Sequence, residues 1–152
     1  MSKNITCGIV YRIKNTNTFL IGHATKTKVW SIPKGIKDDT DKDESFSACR
    51  ELKEETSLIL NPEDLTFIGN YAYTNKKDMS LFYYEVDKEN AADIEGLFCT
   101  SSFAYNYTTK NGYKKVALLP EIDKYKYIDI KDCKLYCNAK MCEILELNIK
   151  WF

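Results

Sequence analysis

At 152 residues the chain has the length of one domain and enough material for a real core. Lysine plus arginine and aspartate plus glutamate balance at 22 each, so no net field draws it to nucleic acid or to a membrane surface. With no long apolar run, no signal-peptide core and a polar start, MSKNITCG, it is expected to be soluble and cytoplasmic.

In chain order, Ile5–Ile13 is rich in β-formers and predicts a first strand. Asn15-Thr16-Asn17 makes a turn, and Phe19–His23 returns as a second strand. His23 is the sole histidine and invites a catalytic role, but a general base must reach a defined water. A structural or substrate-edge role is the preferred reading. Trp30-Ser31-Ile32-Pro33 is a short extended piece, in which Pro33 fixes φ and Gly35 lets the backbone turn sharply. The acidic loop from Asp38 to Glu44 then leads into a helix, with Asp43 or Ser45 as the N-cap.

That helix is the most informative stretch. Phe46, Cys49 and Leu52 form an apolar stripe with Ala48 on its flank. Glu51, Glu54 and Glu55 follow Arg50 at i, i+3 and i+4 and share another sector. Each like-charge pair costs a bare helix about 0.2–0.5 kcal/mol. A divalent cation among them explains that cost, since Mg²⁺ prefers carboxylate oxygens and keeps positions for phosphate oxygens and water. A solvated acidic face paired with Arg50 and Lys53 is the alternative. Asn61-Pro62 marks the end of the helical segment.

Thr66–Tyr73 and Leu81–Val86 read as paired strands around the polar turn 75–78. Their tyrosines, Tyr73 among them, are candidates to stack on a base near a cleft, although most strand aromatics are packing. Residues 87–94 form a loop, and 97–107 a strand with a segment bordering the substrate. Residues 108–115 make a polar turn, and the string Leu118–Asp123 precedes a last strand, Tyr125–Ile130. Residues 132–150 predict a closing amphipathic helix with Ala139, Met141, Cys142, Leu145 and Ile149 inward. The six cysteines are irregularly spaced and contain no CxxC, which predicts reduced thiols rather than disulfides or zinc.

The run from Pro33-Lys34-Gly35 through the acidic loop to Arg50-Glu51-Leu52-Lys53-Glu54-Glu55 resembles the signature of the Nudix hydrolases, with Leu58 matching its closing aliphatic position. The chain departs from it twice. One extra residue separates Gly35 from Arg50, so the family's first Glu, a mainly structural residue, falls on Lys42 among Asp41, Asp43 and Glu44. The closing Gly is Ser57, which must then take a positive φ.

The resemblance implies an α/β fold, a Nudix-type α/β/α sandwich with a mixed β-sheet, as a single domain over 1–152. It implies Mg²⁺, or Mn²⁺, held by Gly35 through its carbonyl and by Glu51, Glu54 and Glu55, with Arg50 orienting the acids. By analogy with a late family segment, Glu121 would complete the metal shell or position water. Lys34 would touch a phosphate and Tyr73 the substrate. The implied reaction is hydrolysis of the pyrophosphate bond of a nucleoside diphosphate linked to another moiety, of the ADP-ribose or dinucleoside polyphosphate type. Alternatives are an (oxidised) nucleoside triphosphate pyrophosphatase, an mRNA-decapping enzyme and a non-catalytic nucleotide sensor. The expected partner is a small-molecule nucleotide, with no membrane, and no nucleic acid except capped RNA.

Overall fold

The computed structural model describes residues 3–148 and 150. The central strand, β1 (Asn4–Ile13), is buried on both faces, which explains its near-continuous apolar run. It pairs in parallel along its whole length with β6 (Lys77–Val86), and β6 pairs antiparallel with β5 (Thr66–Thr74). On its other side β1 meets β2 (Thr18–Ala24) only at Arg12↔Phe19 before the two strands part.

Two short strands fill that fork. β3 (Trp30–Ser31) lies on β2, and β4 (Lys34–Ile36) lies antiparallel on β1 from Thr6 to Gly8. The fork therefore delivers Lys34 and Gly35 to the middle of the sheet. β9 (Ile122–Asp129) covers the outer edge of β2. β7 (Ser102–Thr108) and β8 (Lys114–Pro120) form a separate two-stranded hairpin.

One sheet face packs on α1 (Glu44–Thr56), where Cys7, Ile9, Tyr11, Leu20 and Phe82 meet Ala48, Cys49 and Leu52. The other packs on α2 (Cys133–Tyr136) and α3 (Ala139–Leu147), where Val10, Phe19, Ile21 and Leu81 meet Met141, Ile144 and Leu145. This is the expected α/β/α sandwich with a mixed sheet.

Local expectations fared unevenly. Asp43 is the N-cap of α1, its carboxylate accepting from Phe46 N–H at 3.0 Å. The buried stripe is turned from the predicted one: Phe46 is 43% exposed, whereas Glu55 and Thr56 join Ala48, Cys49 and Leu52 inside. The closing helix is interrupted, because Cys137 is extended and Asn138 caps a new helix by accepting from Met141 N–H. Ala139 is consequently exposed and Ile144 buried. Ile149 lies outside the described residues. The polar turn at 108–115 is the tip of the hairpin, and β8 begins at Lys114, before any strand expected there. All six cysteines are free. Among the described residues no helix is long and apolar enough to cross a membrane.

Candidate active site

The C-terminal half of α1, the fork segment and the base of the β7–β8 hairpin converge on one side of the sheet. Arg50 organises the first of these. Its guanidinium donates to both oxygens of Asp41, from Nε and from Nη2, each at 2.9 Å. It also reaches the Ile36 carbonyl at 3.1 Å, and through Nη1 it donates to Glu51 at 3.0 Å and Glu54 at 3.2 Å. That hydrogen bonding holds the Asp41 carboxyl down at about 2. Planar, fork-shaped donors suit this bidentate grip.

Asp41 is the residue that the sequence reading missed. Counted back from Arg50, the family's first acidic position falls on Lys42. Counted forward from Gly35, five intervening residues lead to Asp41. The inserted residue therefore lies after Asp41, and the structural acid is present, shortened to Asp.

Glu55 is buried and takes one hydrogen bond, from Lys34 N–H to Oε1 at 3.0 Å. Burial pushes its carboxyl up to about 8, against the pull of Lys34, with Glu51 and Glu121 adding repulsion. Burial likewise raises Glu51 to about 7, with Arg50 pulling the other way. Gly35 packs directly on Glu51, and a Cβ there would overlap its carboxylate. A buried acid, Glu55, and a half-buried neighbour, Glu51, both with raised proton affinity, are under-compensated anions.

The last turn of α1 is held from outside the helix. Ser57 sits at φ 68° and returns its N–H to Lys53 O, as a left-handed cap should. Thr100 N–H donates to Glu54 O at 2.7 Å, and Tyr125 Oη donates to Glu55 O at 2.5 Å. The carbonyls that the helix leaves orphaned are thus paired beside Glu54 and Glu55.

Glu121 begins the segment into β9, its N–H donating to Ser101 O and its carbonyl accepting from Thr25 N–H. It shares with Glu55 and Lys34 a cavity of about 360 Å³, walled by Val29, Ile32, Phe103 and Ile122. Lys34 Nζ stands 5.7 Å from the ring centre of Tyr73. Tyr73 itself packs against the α3-side core, accepts a bond from Asn138, and is not a wall residue of the cavity. His23 is engaged at both ring nitrogens, by Asp123 at 2.5 Å and the Thr27 carbonyl at 2.8 Å, and ties a turn.

The donor chemistry of Glu51, Glu54 and Glu55 fits a hard divalent cation: oxygen ligands only, one buried and one half-buried, both under-compensated. Here Glu51 and Glu54 are turned on to Arg50, and among the described residues no three acidic, His or Cys side chains converge as a ready ligand set.

An acidic helix of this pattern, bedded on a mixed sheet beside a nucleotide-sized cavity, defines a hydrolase of pyrophosphate bonds. A family model for the NUDIX domain matches residues 3–133, and the chain belongs to the Nudix family. It is 29% identical over 133 residues to an uncharacterized 17.7 kDa protein in the e-segB intergenic region of Enterobacteria phage T4, covering 83% of this chain and 82% of that protein. A C. elegans Ap4A hydrolase in a binary complex superposes with a TM-score of 0.65 at 23% identity, over 96% of each chain. The NUDIX domain of Shewanella oneidensis NrtR, complexed with ADP ribose, superposes with a TM-score of 0.63 at 11% identity, over 99% of this chain and 88% of that one. At these identities the two structures share the fold.

Proposed function

We propose that this chain is a divalent-metal-dependent hydrolase, Mg²⁺ being the expected ion and Mn²⁺ the alternative. Its substrate is a nucleoside diphosphate linked to a second moiety, of the ADP-ribose or dinucleoside polyphosphate type. The observation that carries the reading is the placement of Glu55, Glu121 and Lys34 around one cavity beside the Arg50–Glu51–Glu54 cluster. One superposed relative is named an Ap4A hydrolase and the other is complexed with ADP ribose, compounds of that chemical kind.

Glu51, Glu54 and Glu55, with the Gly35 carbonyl, would hold the metal, which supplies charge neutralisation at the phosphates and a lower pKa for bound water. Arg50 orients Glu51 and Glu54 and is itself aligned by Asp41. The Lys34 ammonium offers a point charge to a phosphate oxygen at the cavity mouth. Glu121, close enough to Glu51 and Glu55 to raise both, would accept a hydrogen bond from the attacking water.

The test is phosphate-product release from a panel containing ADP-ribose, diadenosine polyphosphates, sugar nucleotides, ordinary and oxidised nucleoside triphosphates and capped RNA. The expected result is Mg²⁺-dependent turnover of the first two classes, abolished by EDTA and strongly reduced in Glu55→Gln. Absence of turnover across the panel, with ADP-ribose still raising the melting temperature, would overturn it in favour of a sensor.

A further inference from the structure

The break between α2 and α3 brings together side chains that one continuous helix would keep apart. In an unbroken helix Cys133 and Cys142 would stand about 13.5 Å apart along the axis. With Cys137 extended and Asn138 capping a new start, α3 packs beside α2 and the two sulfurs meet. Cys142 Sγ donates to Cys133 Sγ at 3.2 Å and to the Cys137 carbonyl at 3.6 Å. A cysteine packs as a small apolar side chain, and alanine or valine fills such a seam without setting two oxidisable sulfurs side by side. A disulfide bond of about 2.05 Å needs only about 1.2 Å of further approach.

The seam also has an entrance. Cys137 and Cys142 line a cavity of about 420 Å³ between the two helices, with Lys134 from α2 and Glu143 and Glu146 from α3 around it. Cys133 is fully buried and Cys142 is 1% exposed, so an oxidant meets them when α2 opens. α2 is a single turn whose one buried residue is Cys133, which makes it a cheap element to open. Burial pushes the Cys142 thiol up to about 12, which keeps it protonated while the seam is closed. Opening readmits water, and with it the reactive thiolate.

We infer that Cys133 and Cys142 are a site of reversible oxidation, closed to a disulfide by a small hydroperoxide that enters between α2 and α3. The Cys142 thiolate attacks the peroxide: an S–O bond forms, the O–O bond breaks, and the departing oxygen takes up the thiol proton. Cys133 then attacks the sulfenic sulfur: the S–S bond forms, the S–O bond breaks, and the hydroxide leaves with the Cys133 proton as water. Two electrons pass from the sulfurs to the peroxide, and with hydrogen peroxide the products are the disulfide and two waters. The bridge staples α2 to α3 across the break. It encloses Cys137, whose backbone pairs with Trp30 of β3. Neither metal nor nucleotide takes part, so this chemistry stands apart from the hydrolase reading.

The test is to treat the reduced full-length chain with hydrogen peroxide, quench, alkylate the remaining thiols and map the tryptic peptides by mass. Cleavage after Lys131, Lys134, Lys140 and Lys150 puts the three cysteines on separate peptides. The expected result is a cross-link between Cys133 and Cys142, with Cys137 alkylated and the bond reversed by dithiothreitol. Closing a loop of this length should raise the melting temperature by about 5–10 °C. The rise should vanish in Cys133→Ala and Cys142→Ala and persist in Cys137→Ala. A cross-link that runs through Cys137, sulfinic acid at Cys142 with no cross-link, or a rise that survives Cys133→Ala would overturn the assignment. The wild-type map decides the pairing even if a variant fails to fold.

Discussion

Helices α1 and α3 cover opposite faces of one sheet and are held there by different physics. α3 buries Met141, Cys142, Ile144 and Leu145, and its start is capped by Asn138. Its position follows chiefly from apolar area removed from water, which is non-directional, and directed bonds from β5 reach only its two caps, Asn138 to Tyr73 and Tyr71 to Asn148. α1 buries Ala48, Cys49 and Leu52, but also Glu55, whose burial costs free energy. It is fixed in addition by directed bonds from elsewhere in the chain: Asp41 and the Ile36 carbonyl on Arg50, Thr100 and Tyr125 on its last carbonyls. The scaffold helix is secured chiefly by bulk, and the acidic helix also by directed bonds along its length, which on the proposed reading position its carboxylates as well as cover them.

The sharpest way to break that contrast is Glu55→Gln. Activity should fall by about 10²–10³-fold, the scale on which losing one preorganised electrostatic contact at a reacting centre acts. Stability without metal should move the other way. The folded pKa of Glu55, about 8, lies above its ordinary 4.5, so its contribution is fully favourable below pH 4.5 and is lost as pH rises through 8. Each unit of that gap is worth about 1.4 kcal/mol. Calorimetry in EDTA should show the wild-type melting temperature falling across this window, helped by Glu51, and the variant melting higher with a shallower slope. A variant that melts lower at pH 8 would show that Glu55 is stabilising where it lies.

On the other face, Leu145→Ala should cost about 2–5 kcal/mol, as deletion of a fully buried leucine does, while kcat changes little. Denaturant unfolding and steady-state kinetics on the same preparation separate the two. A large loss of kcat at full occupancy of the folded state would mean that the two faces are coupled through the sheet.

How much of this was legible beforehand follows the same division. Arg50, Glu51, Glu54 and Glu55 lie within one and a half turns of one helix, so their shared sector could be read from spacing alone. Gly35 was marked by its residue type. The phase of the buried stripe was not readable, because Glu55 is drawn inward by Lys34 N–H, a bond across 21 positions. Asp41 was hidden by an insertion whose location only the Arg50 contacts reveal. The hairpin escaped because β8 exposes Val116 and Leu118, so its alternation does not separate a core face from a solvent face. Local pattern finds acids that work together on one element, and it is blind to sites assembled from several.

Asp41→Asn tests the directed side of the contrast at smaller scale. Losing a charge-assisted pair of this kind costs about 1.5–3 kcal/mol. Because the folded pKa of Asp41, about 2, lies below its ordinary 3.8, the wild-type contribution is present above 3.8 and is lost as pH falls through 2. The stability difference between wild type and variant should therefore shrink on acidification, as urea titrations at pH 7 and pH 3 would show. Activity should fall about tenfold through misalignment of Glu51 and Glu54, with kcat affected more than KM. An unchanged kcat would show that Arg50 holds its acids without Asp41.

The smallest effect concerns the end of the same helix. Ser57 occupies a left-handed conformation at φ 68°, where a Cβ is disfavoured and glycine is at ease. Its hydroxyl recovers part of the strain by bonding to the Thr56 carbonyl. Ser57→Gly removes the strain and that bond together, and adds freedom to the unfolded chain. The balance should favour the variant by about 0.5 kcal/mol, which for a chain of this length is about 1–2 °C in melting temperature. The cap itself, Ser57 N–H to Lys53 O at 2.8 Å, uses backbone only and should persist, so kcat should be unchanged. A lower melting temperature would instead mean that the hydroxyl bond outweighs the strain. In that case serine at the helix end contributes its own hold on the last turn, beside Thr100 and Tyr125, and the directed bonding of α1 extends one residue beyond the helix.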